Sequence, residues 1–158
     1  MPLIRQSVQI AQRLASISAP GYQLAPVVCD FVVAAGLAAT DIIDMGILPA
    51  GYVPVAVKLA TEDMDSNGVP TITLDVGIMS GLPYSLDTAR TMGNEALAAS
   101  TIGQTGGVVV ENKAAILMLA PVDVDRSIGI KIVTGAATLT VGAKIRLYVE
   151  IRPAYNGA

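Results

Sequence analysis

Apolar and polar positions alternate along much of the chain after residue 27. In residues 53–59, Val-Pro-Val-Ala-Val-Lys-Leu, every second side chain is a large aliphatic one. Residues 72–78 and 145–151 repeat the pattern, with mostly polar residues at the positions between. A period of two is that of a β-strand with one buried and one exposed face. These segments therefore predict strands.

Eight segments rich in β-branched residues are separated by glycine, proline or aspartate. They are residues 27–34, 41–48, 53–60, 71–79, 108–110, 115–120, 128–134 and 144–151. With almost no helix between them, they predict an all-β fold, an antiparallel β-sandwich or jelly roll of about eight strands. A parallel α/β sheet would need helical crossovers between the strands, which this pattern lacks.

Two features describe how these strands connect. Residues 62–70 contain Asn67-Gly68, two residues that tolerate positive φ, so a hairpin is predicted there. Pro54 lacks a backbone N–H, so it is expected at a sheet edge or among the first residues of its strand.

The N-terminal residues have a helical period instead. Wound at about 100° per residue, the apolar side chains of residues 3–17 fall on one half of a helix. Pro20-Gly21 and Pro26 then predict a linker, so residues 1–26 are an N-terminal arm and residues 27–158 a β-sandwich domain. Three interpretations of the arm stay open: a helix on its own domain, an arm on a neighbouring subunit, or an extended segment.

Residues 81–107 break the strand rhythm and predict one short helix or loop insertion. Ser85 or Asp87 would cap a helix over residues 86–99, weakened by Gly93. A flexible loop is expected at the glycines that follow, which are Gly103, Gly106 and Gly107.

The composition indicates that the surface carries few charged residues. Charged residues make up 15% of the 158 and hydrophobic residues 53%, whereas soluble chains average about 25% charged residues. One domain with a full core is expected, whose leftover apolar surface is covered by other molecules. The net charge of -3 and the pI of about 4.7 argue against nucleic acid as a partner.

A mean hydropathy of +0.59 raises the question of a membrane. The most apolar run, residues 31–39, is too short, because a spanning helix needs about 20 apolar residues. The first residues lack the apolar stretch of a secretory signal, and the single Cys29 fits a reducing compartment. We therefore expect an intracellular product that has no membrane partner.

Little in the sequence supports catalysis, since the chain has neither His nor Trp. Asp63-x-Asp65-x-Asn67-Gly68 copies the first half of a calcium loop, but Leu74 stands where a bidentate Glu belongs, so a polar turn is the preferred interpretation. Cys29 lies in an apolar segment and is interpreted as a core residue.

Two further patterns are candidate sites. Asp123-x-Asp125-Arg126 is a candidate cation or acid–base pair, for which a turn with a local ion pair is the preferred interpretation. The glycines of residues 103–107 lack the Lys-Ser/Thr of a phosphate loop. We predict no enzymatic activity and no catalytic, cofactor-binding or metal-ligating residues.

Three strings suggest relatives: DIIDMGILPAGYVPV at residues 41–55, LDVGIMSG at 74–81 and APVDVDRSIG at 120–129. Over residues 27–153 the chain resembles the head decoration, or cement, proteins of tailed bacteriophages. The resemblance implies a jelly-roll-like domain that is made in the bacterial host cytoplasm and binds the outer capsid surface of the virion. It also implies a dimer or trimer that bridges neighbouring major capsid subunits.

Other functions stay open beside this one. They are a head-to-tail connector or tail component of the same kind of particle and, more distantly, a jelly-roll module that binds a receptor or glycan. The third would use loop aromatics, but the tyrosines are scattered: Tyr22, Tyr52, Tyr84, Tyr148 and Tyr155. Residues 3–17 and 81–107 are the candidates for contacting neighbours.

Overall fold

A computed structural model describes residues 3–7, 25–110 and 113–154, which form a two-layer β-sandwich. The strands are β1 (Ile4–Gln6), β2 (Ala25–Val32), β3 (Ile42–Leu48), β4 (Tyr52–Thr61), β5 (Thr73–Ile78), β6 (Leu97–Ser100), β7 (Gly107–Val109), β8 (Arg126–Thr134) and β9 (Lys144–Pro153). One short helix, α1 (Ala114–Leu117), and a 3-10 turn (Ile102–Gln104) complete the elements. The predicted all-β sandwich is confirmed.

The two layers are a five-stranded sheet in the order β1-β3-β8-β5-β6 and a four-stranded sheet in the order β2-β9-β4-β7. The neighbouring strands run antiparallel except at one edge, where β1 pairs parallel with β3 and Ile4 lies opposite Ile42. A wholly antiparallel sandwich was expected, so this edge is a correction. The parallel pair is allowed because β2, in the other sheet, separates β1 from β3 along the chain.

The core lies between the sheets and follows the alternation of the sequence. Ile43 and Ile130 of one sheet and Leu59 and Leu147 of the other are completely buried in a single cluster. Cys29 belongs to the same cluster. Since a strand exposes alternate faces, the polar residues between these positions point away from the core.

The N-terminal helix prediction is wrong for residues 4–6, which form β1. Pairing with β3 supplies backbone hydrogen bonds that a helix would otherwise provide, and Arg5 forms an ion pair with Asp41 at 3.4 Å. The rest of the predicted helix, residues 8–17, and the linker as far as residue 24 lie outside the described residues.

The predicted hairpin at residues 62–70 is also wrong. β4 belongs to the four-stranded sheet and β5 to the five-stranded sheet, so the segment between them crosses from one layer to the other. The prediction for Pro54 is confirmed. Pro54 is near the start of β4, and the neighbour on that side, β7, pairs only with residues 59–61.

Two further predictions of local structure are wrong, for different reasons. Residues 86–99 form no helix: the Gly93 and Ala96 amides donate to carbonyl groups of β5, and the segment ends in β6. Residues 115–120 were expected to be a strand, but α1 occupies this place, where two alanines favour a helical turn. Within the described ranges, no helix is long and apolar enough to cross a bilayer.

Candidate docking surface

One loop lies across the end of the five-stranded sheet, and we call residues 80–91 the apical loop. Its two ends are joined, because the Ser80 amide donates to the Thr91 carbonyl at 2.9 Å and the Thr91 amide to Ser80 Oγ at 2.8 Å. Met79 and Met92 form an isolated β-bridge just below. The loop is therefore closed at its base.

Arg90 fixes the apical loop from beneath. Its Nε donates to the Ser80 carbonyl at 2.8 Å, and its Nη1 donates to the Ser85 carbonyl at 2.9 Å and to Asp44 Oδ2 at 2.8 Å. Asp44 Oδ2 also accepts from Ser127 Oγ at 3.0 Å. The Arg90 side chain thus connects Ser80 and Ser85 of the apical loop to strand β3.

This ion pair is buried, since the side chains of Arg90 and Asp44 are 2% and 0% exposed. Burial raises the pKa of the Asp44 carboxyl, while the hydrogen bonds from Arg90 and Ser127 partly offset the effect. Asp44 Oδ1 and Arg90 Nη2 are buried without a hydrogen-bond partner in the described structure. Because desolvation of such a pair costs as much as its attraction returns, its main contribution is to fix geometry.

The apical loop carries apolar side chains in contact with solvent. Leu82 is 77% exposed and Leu86 62% exposed, and Val124 of the neighbouring loop is 64% exposed. Tyr84 has a φ of 64°, a conformation that costs a bulky residue about 1 to 3 kcal/mol. A shallow hollow of about 500 Å³ lies at this end and is lined by Ala50, Leu82, Pro83, Tyr84, Asp123, Val124 and Asp125.

Acidic groups surround these apolar side chains. Asp125 Oδ1 accepts from the Ala50 amide at 2.8 Å, and Asp87 Oδ1 accepts from the Ala89 amide at 2.9 Å. Asp123 lines the hollow and is exposed. Asp87, Asp123 and Asp125 take part in none of the ion pairs of the described residues, so their charges are not neutralised there.

The expected ion pair between Arg126 and the nearby aspartates is wrong. Arg126 lies opposite Leu48 at the start of β8, and opposite residues of two strands share a face, here the core side. Burial lowers the pKa of its guanidinium, and its Nε and Nη2 have no partner among the described residues.

The calcium-like pattern proves to be a structural turn. Asp65 is buried, and its carboxylate accepts from the amides of Thr71, Ile72, Ala137 and Thr138 at 2.7 to 3.2 Å. Burial alone would raise the pKa of this carboxyl, but the four donors outweigh it and hold the pKa below its usual range. The described residues contain no cluster of three or more acidic or thiol groups placed to hold a metal ion.

Packing accounts for the other two candidates. A Cβ at Gly103 would lie 3.2 Å from Met64 Sδ, and one at Gly106 would lie 2.9 Å from the Asp63 amide nitrogen, so both glycines allow close approach. Cys29 is completely buried, and burial is the largest of the effects that raise the pKa of its thiol to about 12. A thiol of this kind is unreactive.

A second open surface is the outer face of the four-stranded sheet. Arg146 pairs there with Asp30 and Lys58 with Glu150, and these side chains are 36% to 50% exposed. A hollow of about 690 Å³ includes Val32 and Tyr148 in its lining. Four of the charges on this face are neutralised in these two pairs, unlike the three aspartates at the apical end.

Sequence reasoning missed the role of Arg90 and Asp44. A signal was present, because Asp44 interrupts an otherwise apolar stretch of residues 42–48. A lone acid in such a strand indicates a buried partner of opposite charge. Its position in the sequence does not identify which of the basic residues that partner is.

Comparison with known proteins finds similar chains in phage capsids. A chain of the capsid of Ralstonia phage GP4 has a TM-score of 0.92 and 37% identity, covering 97% of this chain and 99% of that chain. A chain of the capsid asymmetric unit of cyanophage Pam1 has a TM-score of 0.63 and 22% identity, covering 89% of this chain and 94% of that one. The second likeness concerns the fold alone. No protein-family model and no curated protein sequence matches the chain.

Proposed function

The protein belongs to a family of phage capsid proteins that includes the matching chain of Ralstonia phage GP4, and we propose that it decorates an assembled capsid shell and bridges neighbouring major capsid subunits. The chain is a structural protein of a phage virion. The 37% identity over nearly the whole length of both chains supports a role in a capsid, and the exposed apolar side chains support the decorating position.

The exposed apolar side chains support a decorating role. Leu82, Leu86, Met118 and Val124 are each more than 60% exposed, and only 15% of all residues are charged. Monomeric soluble proteins rarely leave large contiguous apolar patches in water. Contact with a shell or with further copies of the chain, as a dimer or trimer, would cover these side chains on the outside of the virion.

A non-enzymatic role agrees with how the reactive side chains are used. Asp44 is bonded to Arg90 and Ser127, the Asp65 carboxylate is occupied by backbone amides, and the Cys29 thiol is buried with a raised pKa. The first two groups are engaged in hydrogen bonds within the fold, and the third is enclosed in the core. We therefore propose that the protein works by binding alone.

Decoration would stabilise the shell by linkage, because a protein that binds the assembled form and not the separate subunits shifts the equilibrium toward assembly. The test uses particles assembled without the chain, to which the purified protein is added. The added protein is expected to sediment with the particles at a saturating ratio of many copies per shell and to raise their disruption temperature. Saturation at a single vertex would instead identify a connector or tail component, and absence of binding would refute the proposal.

A further inference from the structure

We propose that the apical end of the sandwich, made of the apical loop and residues 121–125, is the surface that docks on the shell. Its partner is a surface of a capsid subunit with an apolar centre and basic side chains at the rim. This inference rests on the proposed function and adds to it the orientation of the protein and the chemistry of its partner.

The apolar centre of this surface consists of Leu82 and Val124, which line the same hollow beside Pro83 and Tyr84. Their exposed fractions, 77% and 64%, are those of residues that contribute almost nothing to the core of their own chain. Leu86, in the same loop, is 62% exposed. Burial of side chains of this kind is favourable, and here only a partner can remove them from water.

The apical loop is held rigid although its outer side chains make few contacts with the core. Arg90 binds both arms of the loop and Asp44 through a buried ion pair, and Tyr84 is held at positive φ. Strained or costly features of this kind persist where the surrounding structure fixes a functional geometry. A loop ordered before binding loses less entropy on docking, which raises the affinity of the leucines that it presents.

The charges at this end select the kind of partner. Asp87, Asp123 and Asp125 are exposed around the apolar centre, and their charges are not neutralised by ion pairs among the described residues. Arg126 points toward the core side, and the exposed Arg152 lies opposite Val53 in the four-stranded sheet, not in the five-stranded sheet that carries the apical loop. Two apical ends facing each other would bring like charges together, so a basic-rimmed partner fits better than a second copy.

The opposite end of the sandwich provides the comparison. Val69 is 76% exposed and Val141 60% exposed there, in loops near Asp65 and its four amide donors. These valines are as exposed as the apical leucines, but no buried ion pair among the described residues holds their loops in place. We expect Val69 and Val141 to take no part in docking, so they are matched controls.

The experiment measures binding of the full chain to particles assembled without it, by sedimentation, for Leu82→Asp, Leu86→Asp, Val69→Asp and Val141→Asp. All four residues are exposed, and circular dichroism with thermal melting verifies that each variant is folded. Leu82→Asp is expected to weaken binding by about 30-fold or more, the loss typical of a central interface residue, and Leu86→Asp by about tenfold. The two valine variants are expected to stay within about threefold of the parent. Asp123→Lys should also weaken binding, and by more at low salt than at high salt.

The outcomes separate this inference from the proposed function. If the parent binds and Leu82→Asp binds equally well, or if a valine variant loses binding, the apical assignment is overturned while decoration stands. If Leu82→Asp instead converts an oligomer to a monomer in solution and still saturates the particles, the occupant is a second copy and the inference is wrong. If the parent does not bind particles, both proposals are overturned.

Discussion

Arg90 and Asp44 form an ion pair in which Nη1 lies 2.8 Å from Oδ2 beneath the apical loop, although 46 positions separate them in the sequence. The two residues belong to different parts of the fold, the loop and strand β3. Their pairing fixes where the loop lies on the sheet. The exposed leucines of the loop owe their placement to this contact.

Arg90→Met tests how much the fold depends on this pair. The change keeps much of the side-chain volume but leaves the Asp44 carboxylate buried without its cation. We expect the free energy of unfolding to fall by about 3 kcal/mol, measured by urea denaturation. Arg146→Met is the control, because its pair with Asp30 is about half exposed and should contribute less than about 1 kcal/mol. Equal losses in the two variants would contradict the role assigned to Arg90.

Asp65→Asn tests the turn that replaces the calcium-loop interpretation. The folded-state pKa of Asp65 lies below its usual range, so its carboxylate contributes stability above about pH 4, and this contribution is lost as the pH falls further. The asparagine variant should be less stable than the parent at neutral pH, because its amide group faces backbone donors. The difference between the two should shrink below about pH 4 when unfolding is followed across pH.

Asp63→Asn is the control for that experiment, since the exposed Asp63 carboxylate accepts one hydrogen bond, from the Asp65 amide, among the described residues. We expect a small change with little dependence on pH. A stability difference for Asp65→Asn that is the same at every pH would show that its carboxylate is not held ionised by the fold.

Gly46→Ala tests the close contact between the sheets. A Cβ at Gly46, beside the β-bulge of β3, would collide with Cys29 Sγ. We expect a loss of about 1 to 3 kcal/mol, as for other overpacked cores. Adding Cys29→Ala removes the sulfur, so the double variant should lose less than the sum of the two single variants by at least about 0.5 kcal/mol. Strict additivity in urea denaturation would show that the two residues do not meet.

Deletion of residues 1–7 tests the edge strand β1. Ile4 is 9% exposed and packs with Ile42 and Met79, and Ser7 is completely buried. Removing them should lower the melting temperature and expose the edge of β3, which favours pairing between chains. Leu3→Ala is the control, because Leu3 is 51% exposed and should change little. A truncated chain that melts like the parent and elutes as the same species would contradict the placement of β1.

The parts of the fold that were predictable are those with a local signal. The alternation in residues 53–59 and 145–151 identified β4 and β9, because a strand at the sandwich surface needs one apolar face. Three-residue β1 is too short to show a period of two, and its one apolar side chain, Ile4, fits a helical period equally well. Its identity depends on pairing with β3, far away in the sequence.

The parts that were not predictable depend on contacts between distant segments. The turn at Asn67-Gly68 was recognised, but the crossing from β4 to β5 is fixed by Asp65 and amides more than 70 positions away. The sequence indicated residues 3–17 and 81–107 as candidates for contacting neighbours, without distinguishing the apical loop or residues 121–125. The apical loop is distinguished by the exposure of Leu82 and Leu86 and by the burial of Arg90, which are properties of the tertiary structure.

The most direct measurement is an electron cryo-microscopy reconstruction of the intact particle at side-chain resolution. We predict copies of the chain repeated with icosahedral symmetry across junctions between major capsid subunits, with Leu82 and Val124 against the shell and Val69 directed away from it. A chain present only at one vertex, or one whose apical end faces solvent in every copy, would contradict this prediction.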